Sequence, residues 1–176
     1  MKLGEIEIID NFLAKEEFDK IYDTIVSCNT NWIRQPIIPD KFYLGDLKNN
    51  VQFVHPIYGM HQVQSELFFD LIPILKRKLK IRQFCKVKVN CVLCNSEIVT
   101  HGFHNDVDFS YSNENFDGVK TAILYLNTNN GFTVFEDGRK INSVSNRIVI
   151  FPAKLKHSGT TCTDVRERFV INFNYF

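Results

Sequence analysis

The sequence lacks an excess of charge of either sign and lacks any long apolar run. Its 21 basic and 20 acidic residues leave a net charge of +1, so charge alone would not hold nucleic acid or an anionic membrane. No stretch approaches the roughly 18 consecutive apolar residues of a membrane span, and the first residues lack the apolar centre of a signal peptide. We therefore expect no membrane partner, and nucleic acid is not indicated by charge.

The number of cysteines is odd, which argues against a framework of disulfides. The five cysteines include Cys91 and Cys94, but a CxxC inside an apolar strand, without a second pair, is not typical of a zinc or redox site. We interpret Cys91 and Cys94 as buried structural residues. The sequence predicts a reduced, cytoplasmic protein.

Length and composition favour one domain. A chain of 176 residues, 44% hydrophobic, is long enough for a substantial core, and no repeat or shift in composition marks a second unit. We expect a single domain over residues 1–176. It would have an N-terminal helical and loop part over about residues 1–83 and a β core over about residues 84–176.

The spacing of apolar residues divides the chain into two kinds of element. Spacings of three and four predict helices over 12–28, capped by Asp10 or Asn11, and over 62–80, where Pro73 predicts a kink or a new segment. Residues 29–60 are predicted to form loops and short strands. From Phe84 onward, alternation and turn residues predict about eight strands: 85–95, 97–106, 119–127, 132–137, 139–144, 146–152, 156–162 and 168–176. Eight short strands favour a jelly roll.

The motif with the most chemical information is His104-Asn105-Asp106, followed much later by His157. Residues two apart on an extended segment point to the same face, so His104 and Asp106 can bind one ion, while His157 must come from a distant strand. Two imidazoles and one carboxylate are the set that holds Fe(II) on one face and leaves the opposite face open. The sequence predicts a metal site at these three residues.

Two nearby residues are weaker candidates for metal ligands. His101 has the opposite parity to His104 on a strand, and we interpret it as a bystander. Asp108 has the right parity but lies where the chain leaves the predicted strand.

An arginine opens the last apolar strand, shortly after His157. A guanidinium pairs with a carboxylate through two parallel hydrogen bonds, and a buried one is costly unless an anion neutralises it. Arg166 and Arg168 share parity and compete for this role. Arg168 is favoured because Phe169, Val170 and Ile171 follow it directly.

These residues resemble the iron(II)- and 2-oxoglutarate-dependent dioxygenase superfamily, specifically its prolyl 4-hydroxylase-like branch. The resemblance covers residues 85–176 well, and IIDNFLAKEEFDKI near the N-terminus more weakly. Four local matches carry it: HND at 104–106, AILYLN at 122–127, FEDG at 135–138 with NRIVIFP at 146–152, and KHSGTTC with RERFVINFNYF within 156–176.

The resemblance implies a double-stranded β-helix, which is a distorted jelly roll, with helices outside one sheet. It implies that His104, Asp106 and His157 bind Fe(II) and that Arg168 pairs with the distal carboxylate of 2-oxoglutarate. Tyr125 matches a position where the branch often places a tyrosine hydroxyl on that carboxylate. Asn172 shares the parity of Arg168 and is a further candidate for the same pocket.

The reaction implied by the resemblance converts 2-oxoglutarate and O2 to succinate and CO2 and hydroxylates an unactivated C–H bond, with ascorbate as a stimulant. Two positions depart from the family's pattern. The hairpin after AILYLN reads Asn129-Asn130-Gly131 where paired glycines are usual, and Cys94 stands where some relatives have a tyrosine.

Three functions remain open from the sequence. The first is a hydroxylase of a prolyl or other residue in a peptide or protein, and the second applies the same chemistry to a nucleobase or small metabolite. The third is a non-catalytic, cupin-like binding domain, against which Arg168 and Tyr125 argue. The polar segment 107–118, with Phe109, Tyr111 and Phe116, is either a lid over substrate or a connector.

Overall fold

The structure is a computed structural model that describes residues 2–3, 5–27, 30–38, 45–106 and 118–176. The segment predicted as a lid lies outside the described residues, apart from Gly118, and so does Asp108.

The described residues form twelve strands and two α-helices. The strands are β1 Lys2–Leu3, β2 Ile6–Ile9, β3 Ile33–Gln35, β4 Gln52–Gly59, β5 Gln62–Val63, β6 Phe84–Leu93, β7 Lys120–Tyr125, β8 Phe132–Phe135, β9 Lys140–Asn142, β10 Ile148–Pro152, β11 His157–Gly159 and β12 Glu167–Tyr175. The helices are α1 Lys15–Val26 and α2 Leu67–Leu79, and Leu47–Asn49 forms one 3-10 turn.

Two antiparallel sheets face each other and form the double-stranded β-helix that the sequence predicts. The larger sheet has the order β1-β2-β10-β7-β12-β6-β4-β3, with β5 paired to β4. The smaller has the order β11-β8-β9. The N-terminal part adds strands to both ends of the larger sheet, because β2 pairs with β10 and β4 pairs with β6. It is therefore less separate from the β core than the predicted division at about residue 84 suggests.

Alternation along β12 sends its side chains into two different environments. Ile171 and Phe173 point outward and are fully buried beneath α1 and α2, in a cluster that includes Leu71 and Leu75. Val170 points inward, into a second apolar cluster between the sheets. The helices thus cover one face of the larger sheet, as the sequence predicts, and leave the opposite face of the same strand to line the interior.

Three local predictions are corrected by the structure. Residues 97–106 form only two isolated bridges, through Thr100 and His104, rather than a strand. The second helix begins at Leu67 instead of residue 62, and Pro73 lies within it and does not start a new segment. Neither Asp10 nor Asn11 caps α1, because the Asp10 carboxylate is held by Arg147 at 2.5 and 3.0 Å and the helix starts later, at Lys15.

Candidate metal centre and its cavity

His104 and His157 lie directly opposite each other in an antiparallel bridge. The amide of each donates to the carbonyl of the other, at 3.0 and 3.1 Å. Facing residues of such a pair project their side chains to the same side, and the two ring centroids are 5.0 Å apart. Backbone pairing between a loop segment and β11 therefore brings two histidines together that are distant in sequence.

Asp106 completes a cluster whose ligand atoms all lie within 4.8 Å of one another. Its carboxylate oxygens are 3.4 Å from Nε2 of His157 and 4.0 Å from Nε2 of His104. The Nδ1 atoms face the carbonyl oxygens of Leu155, at 3.3 Å, and Gly102, at 3.0 Å. Because a carbonyl only accepts, Nδ1 carries the proton in the neutral form of each imidazole, and the Nε2 lone pair of that form is available to a metal.

The ionisation of this cluster also suits a cation. Burial, and then electrostatic repulsion by His157, lower the pKa of His104. Burial alone would raise the pKa of Asp106, but the hydrogen bond and electrostatic attraction of His157, and the charge of Lys88, hold it well below the usual value. Metal ligands must be neutral imidazoles and an ionised carboxylate, and these two shifts favour the neutral form of His104 and the ionised form of Asp106.

Arg168 is a buried cation near the same centre and is only 3% exposed. Its Nε donates to the Ser143 hydroxyl at 2.8 Å and its Nη2 to the Thr133 hydroxyl at 3.4 Å. No carboxylate of the described residues pairs with it, and burial lowers its pKa. The competing residue Arg166 is exposed, so of these two arginines only Arg168 is buried in the interior.

A cavity of about 60 Å³ connects the three-residue cluster with Arg168. This volume has room for roughly four to six waters, which suits a small polar molecule. Besides the cluster and Arg168, its wall includes His101, Thr133, Lys88 and Asn172. A cavity lined by a divalent-metal donor set, and by a guanidinium that pairs with no carboxylate of the described residues, fits a small diacid bound between the two.

The two other residues predicted to bind the cosubstrate, Asn172 and Tyr125, lie at different positions relative to Arg168. Asn172 lines the cavity, but its amide donates to Asp106 Oδ2 at 2.9 Å, beside the candidate metal ligands and not at Arg168. The Tyr125 hydroxyl donates to Thr133 Oγ1 at 2.8 Å, and the guanidinium of Arg168 lies over the Tyr125 ring, 5.5 Å from its centroid. Their roles toward a ligand stay predictions.

Several residues of the cavity wall are not identified by the sequence, among them Thr133, Lys88 and His101. Thr133 bridges Tyr125 and Arg168 but has no distinguishing motif. Lys88 has a detectable signal, because Lys86, Lys88 and Asn90 place polar side chains on one face of a strand whose other face is apolar. The parity argument that makes His101 a bystander does not hold, because residues 97–106 do not form a regular strand.

The interpretation of the cysteines is confirmed for Cys91 and wrong for Cys94. Cys91 is buried, and burial raises its pKa to about 12. Cys94 is exposed, since it follows the end of β6.

Comparison with solved structures gives the same architecture. An oxidoreductase of the 2OG-Fe(II) oxygenase family from Burkholderia pseudomallei matches with a TM-score of 0.64 and 15% identity, over 97% of this chain and 84% of that one. A prolyl hydroxylase from Trichoplax adhaerens, in complex with a hypoxia inducible factor peptide fragment, matches with a TM-score of 0.63 and 18% identity, over 98% of this chain and 83% of that one. HygX from Streptomyces hygroscopicus, with nickel, 2-oxoglutarate and hygromycin B bound, has a TM-score of 0.55 and 12% identity, over 97% of this chain and 82% of that one.

The chain therefore has the fold of the iron(II)- and 2-oxoglutarate-dependent oxygenases. Prolyl hydroxylases are among the structures that share it, so the resemblance seen in the motifs is confirmed at the level of the fold. No protein-family model and no curated protein matches the sequence. Among the described residues, no helix has the length and apolar character to cross a membrane.

Proposed function

We propose that this protein is an Fe(II)- and 2-oxoglutarate-dependent oxygenase that hydroxylates an unactivated C–H bond. The observation that carries the proposal is one cavity with two features. Its wall contains the cluster of His104, Asp106 and His157, and it also contains Arg168, which is buried without a carboxylate partner among the described residues. A structural metal site would not need the unpaired cation, and a simple anion site would not need the metal ligands.

The chain's own residues would have two roles, which are to hold the metal and to orient 2-oxoglutarate. His104, Asp106 and His157 would hold Fe(II), and Asn172 would fix one oxygen of Asp106 through its hydrogen bond. Arg168 would pair with the distal carboxylate of 2-oxoglutarate and so orient the other end toward the metal. The metal and 2-oxoglutarate, when bound, supply the activation of O2 that a C–H bond requires. The buried wall would exclude water.

The proposed substrate is a prolyl or other residue of a peptide or protein, in the cytoplasm. The prolyl hydroxylase from Trichoplax adhaerens, whose structure contains a peptide fragment, supports this class. A second candidate is a nucleobase or small metabolite. It is supported by HygX, whose structure contains hygromycin B. A non-catalytic binding domain is less favoured, because it gives no reason to bury an unpaired arginine.

Turnover of 2-oxoglutarate tests the reaction class. Purified protein with Fe(II), O2 and ascorbate is expected to release succinate even without substrate. His104→Ala and Asp106→Ala are each expected to abolish this release. His61→Ala is a matched control, because His61 is an exposed histidine outside the cavity.

Mass spectrometry then separates the substrate classes. Extracts of host cells incubated with the enzyme are searched for products heavier by one oxygen, in a peptide fraction and in a small-molecule fraction. Oxygen gain in peptides only supports the first class, and gain in small molecules only contradicts it. Absence of succinate from wild-type protein in the preceding assay would contradict the oxygenase proposal itself.

A further inference from the structure

The imidazole of His101 is buried in the wall of the cavity and has no hydrogen-bond partner among the described residues. The residue is 3% exposed, and neither ring nitrogen forms a hydrogen bond within the described part of the chain. Buried polar atoms are nearly always paired in folded proteins, so each exception calls for a reason. A ligand in the adjoining cavity would supply the missing partner.

The position of His101 associates it with Arg168. Its amide donates to the carbonyl of Gly159 at 3.3 Å, and a Cβ placed on Gly159 would lie 3.6 Å from Nη1 of Arg168. Burial, and then the charge of Arg168, lower the pKa of His101 to about 4. Both residues also line the same cavity.

We propose that His101 is a second residue of the diacid clamp, donating a hydrogen bond to the carboxylate that pairs with Arg168. The proposal rests on the proposed function and deepens it, since it assigns the cavity's orphaned imidazole to 2-oxoglutarate. Two adjacent cations would repel each other in the empty cavity, whereas a neutral imidazole gives one N–H donor without adding charge. The remaining donors toward the carboxylate come from the fixed fork of Arg168.

Two ligands separate binding of the second carboxylate from binding of the 2-oxo acid group. Pyruvate and 2-oxoglutarate have the same 2-oxo acid group, but pyruvate lacks the second carboxylate. Binding of each acid to the Mn(II)-loaded protein is measured by calorimetry for the wild type, His101→Leu and His101→Gln. Mn(II) affinity, measured first for each variant, is expected to stay unchanged.

His101→Leu is expected to raise the Kd for 2-oxoglutarate about tenfold or more, which is the usual effect of losing a hydrogen bond to a charged group. The same variant is expected to leave the Kd for pyruvate unchanged. His101→Gln retains a side-chain N–H donor and is expected to recover most of the affinity for 2-oxoglutarate. Equal weakening of both acids, or no change for 2-oxoglutarate, would overturn the role of His101.

Nuclear magnetic resonance of wild-type protein gives a test that needs no folded His101→Leu variant. In Mg(II)-loaded protein with ¹⁵N-labelled histidine, 2-oxoglutarate is expected to shift the His101 N–H resonance and slow its exchange, and pyruvate is not. The signal is assigned by its loss in His101→Gln. An unmoved resonance with bound 2-oxoglutarate overturns the His101 proposal alone. Failure of wild-type protein to bind either acid overturns the proposed function first.

Discussion

At the residue scale, Arg168 has a property that ordinary core residues do not have. Its guanidinium is buried with two hydroxyl acceptors but without a carboxylate from the described residues. The desolvation of such a cation opposes folding until an anion arrives. The residue is therefore better suited to binding than to stability.

Arg168→Gln is expected to raise the Kd for 2-oxoglutarate by about 100-fold, because it removes one partner of a buried charge pair. The free energy of unfolding of ligand-free protein is expected to rise by about 1 kcal/mol, since an uncompensated charge leaves the interior. Calorimetry and urea unfolding measure the two effects. Arg166→Gln is the matched control, because that arginine is exposed. Equal losses of affinity in both variants would contradict the assignment to Arg168.

His101 gives a prediction for stability against pH. Its pKa in the folded protein is about 4, against an ordinary value of 6.5, because of burial and then the charge of Arg168. As pH falls below 6.5 the unfolded chain takes up a proton and the folded chain does not. The stability that this neutral imidazole contributes is therefore present above pH 6.5 and is lost as pH falls toward 4.

The loss from His101 between pH 7 and pH 5 is expected to be roughly 2 kcal/mol in the free energy of unfolding. His104 acts in the same direction, since its pKa is also lowered. Urea unfolding at the two pH values is expected to show a smaller loss for His101→Gln than for wild type. His61→Gln should behave as wild type, and a His101→Gln curve parallel to wild type would contradict the prediction.

At the element scale, the sequence predicts the strands that carry strong alternation but not the backbone pairing that brings the candidate metal ligands together. On β12, the period of two correctly placed Arg168 and Asn172 on one face. The segment 97–106 was predicted as a strand, but it has only two bridges to the chain around β11. Its conformation is set by tertiary contacts with Gly159 and His157, which no local pattern encodes.

The start of α1 likewise depends on a residue distant in sequence. Asn146 has a φ of 60°, its side-chain oxygen accepts from the Leu13 amide at 2.8 Å, and its side-chain amide donates to the Leu13 carbonyl at 2.9 Å. Asparagine tolerates this left-handed backbone better than most residues do. The turn before β10 thus anchors the chain that leads into α1.

Asn146→Ala is expected to lower the free energy of unfolding by about 3 kcal/mol, from two lost hydrogen bonds and the cost of a positive φ. Asn146→Gly removes the same hydrogen bonds but tolerates the backbone, so about 2 kcal/mol is expected. Both values come from urea unfolding. A loss below about 0.5 kcal/mol in both variants, the level of an ordinary surface substitution, would show that this contact does not anchor α1.

At the scale of the whole molecule, the two sheets enclose the cavity, so ligands held there should stabilise the folded state. A ligand at 100 times its Kd adds about 2.7 kcal/mol, which for a chain of this size raises Tm by roughly 5–10 °C. Mn(II) is expected to raise Tm alone, and 2-oxoglutarate to raise it further when Mn(II) is present. In Arg168→Gln the first increment should remain and the second should disappear. An increment from 2-oxoglutarate that needs neither the metal nor Arg168 would place its binding elsewhere.

The central claim is that one cavity holds a divalent iron and a diacid together, and optical spectroscopy under anaerobic conditions tests it most directly. Adding 2-oxoglutarate to Fe(II)-loaded protein is expected to produce a visible metal-to-ligand charge-transfer band. The band should be absent in His157→Ala, and in Arg168→Gln it should need a much higher concentration of 2-oxoglutarate. A wild-type protein that binds Fe(II) and develops no such band at saturating 2-oxoglutarate would contradict the account.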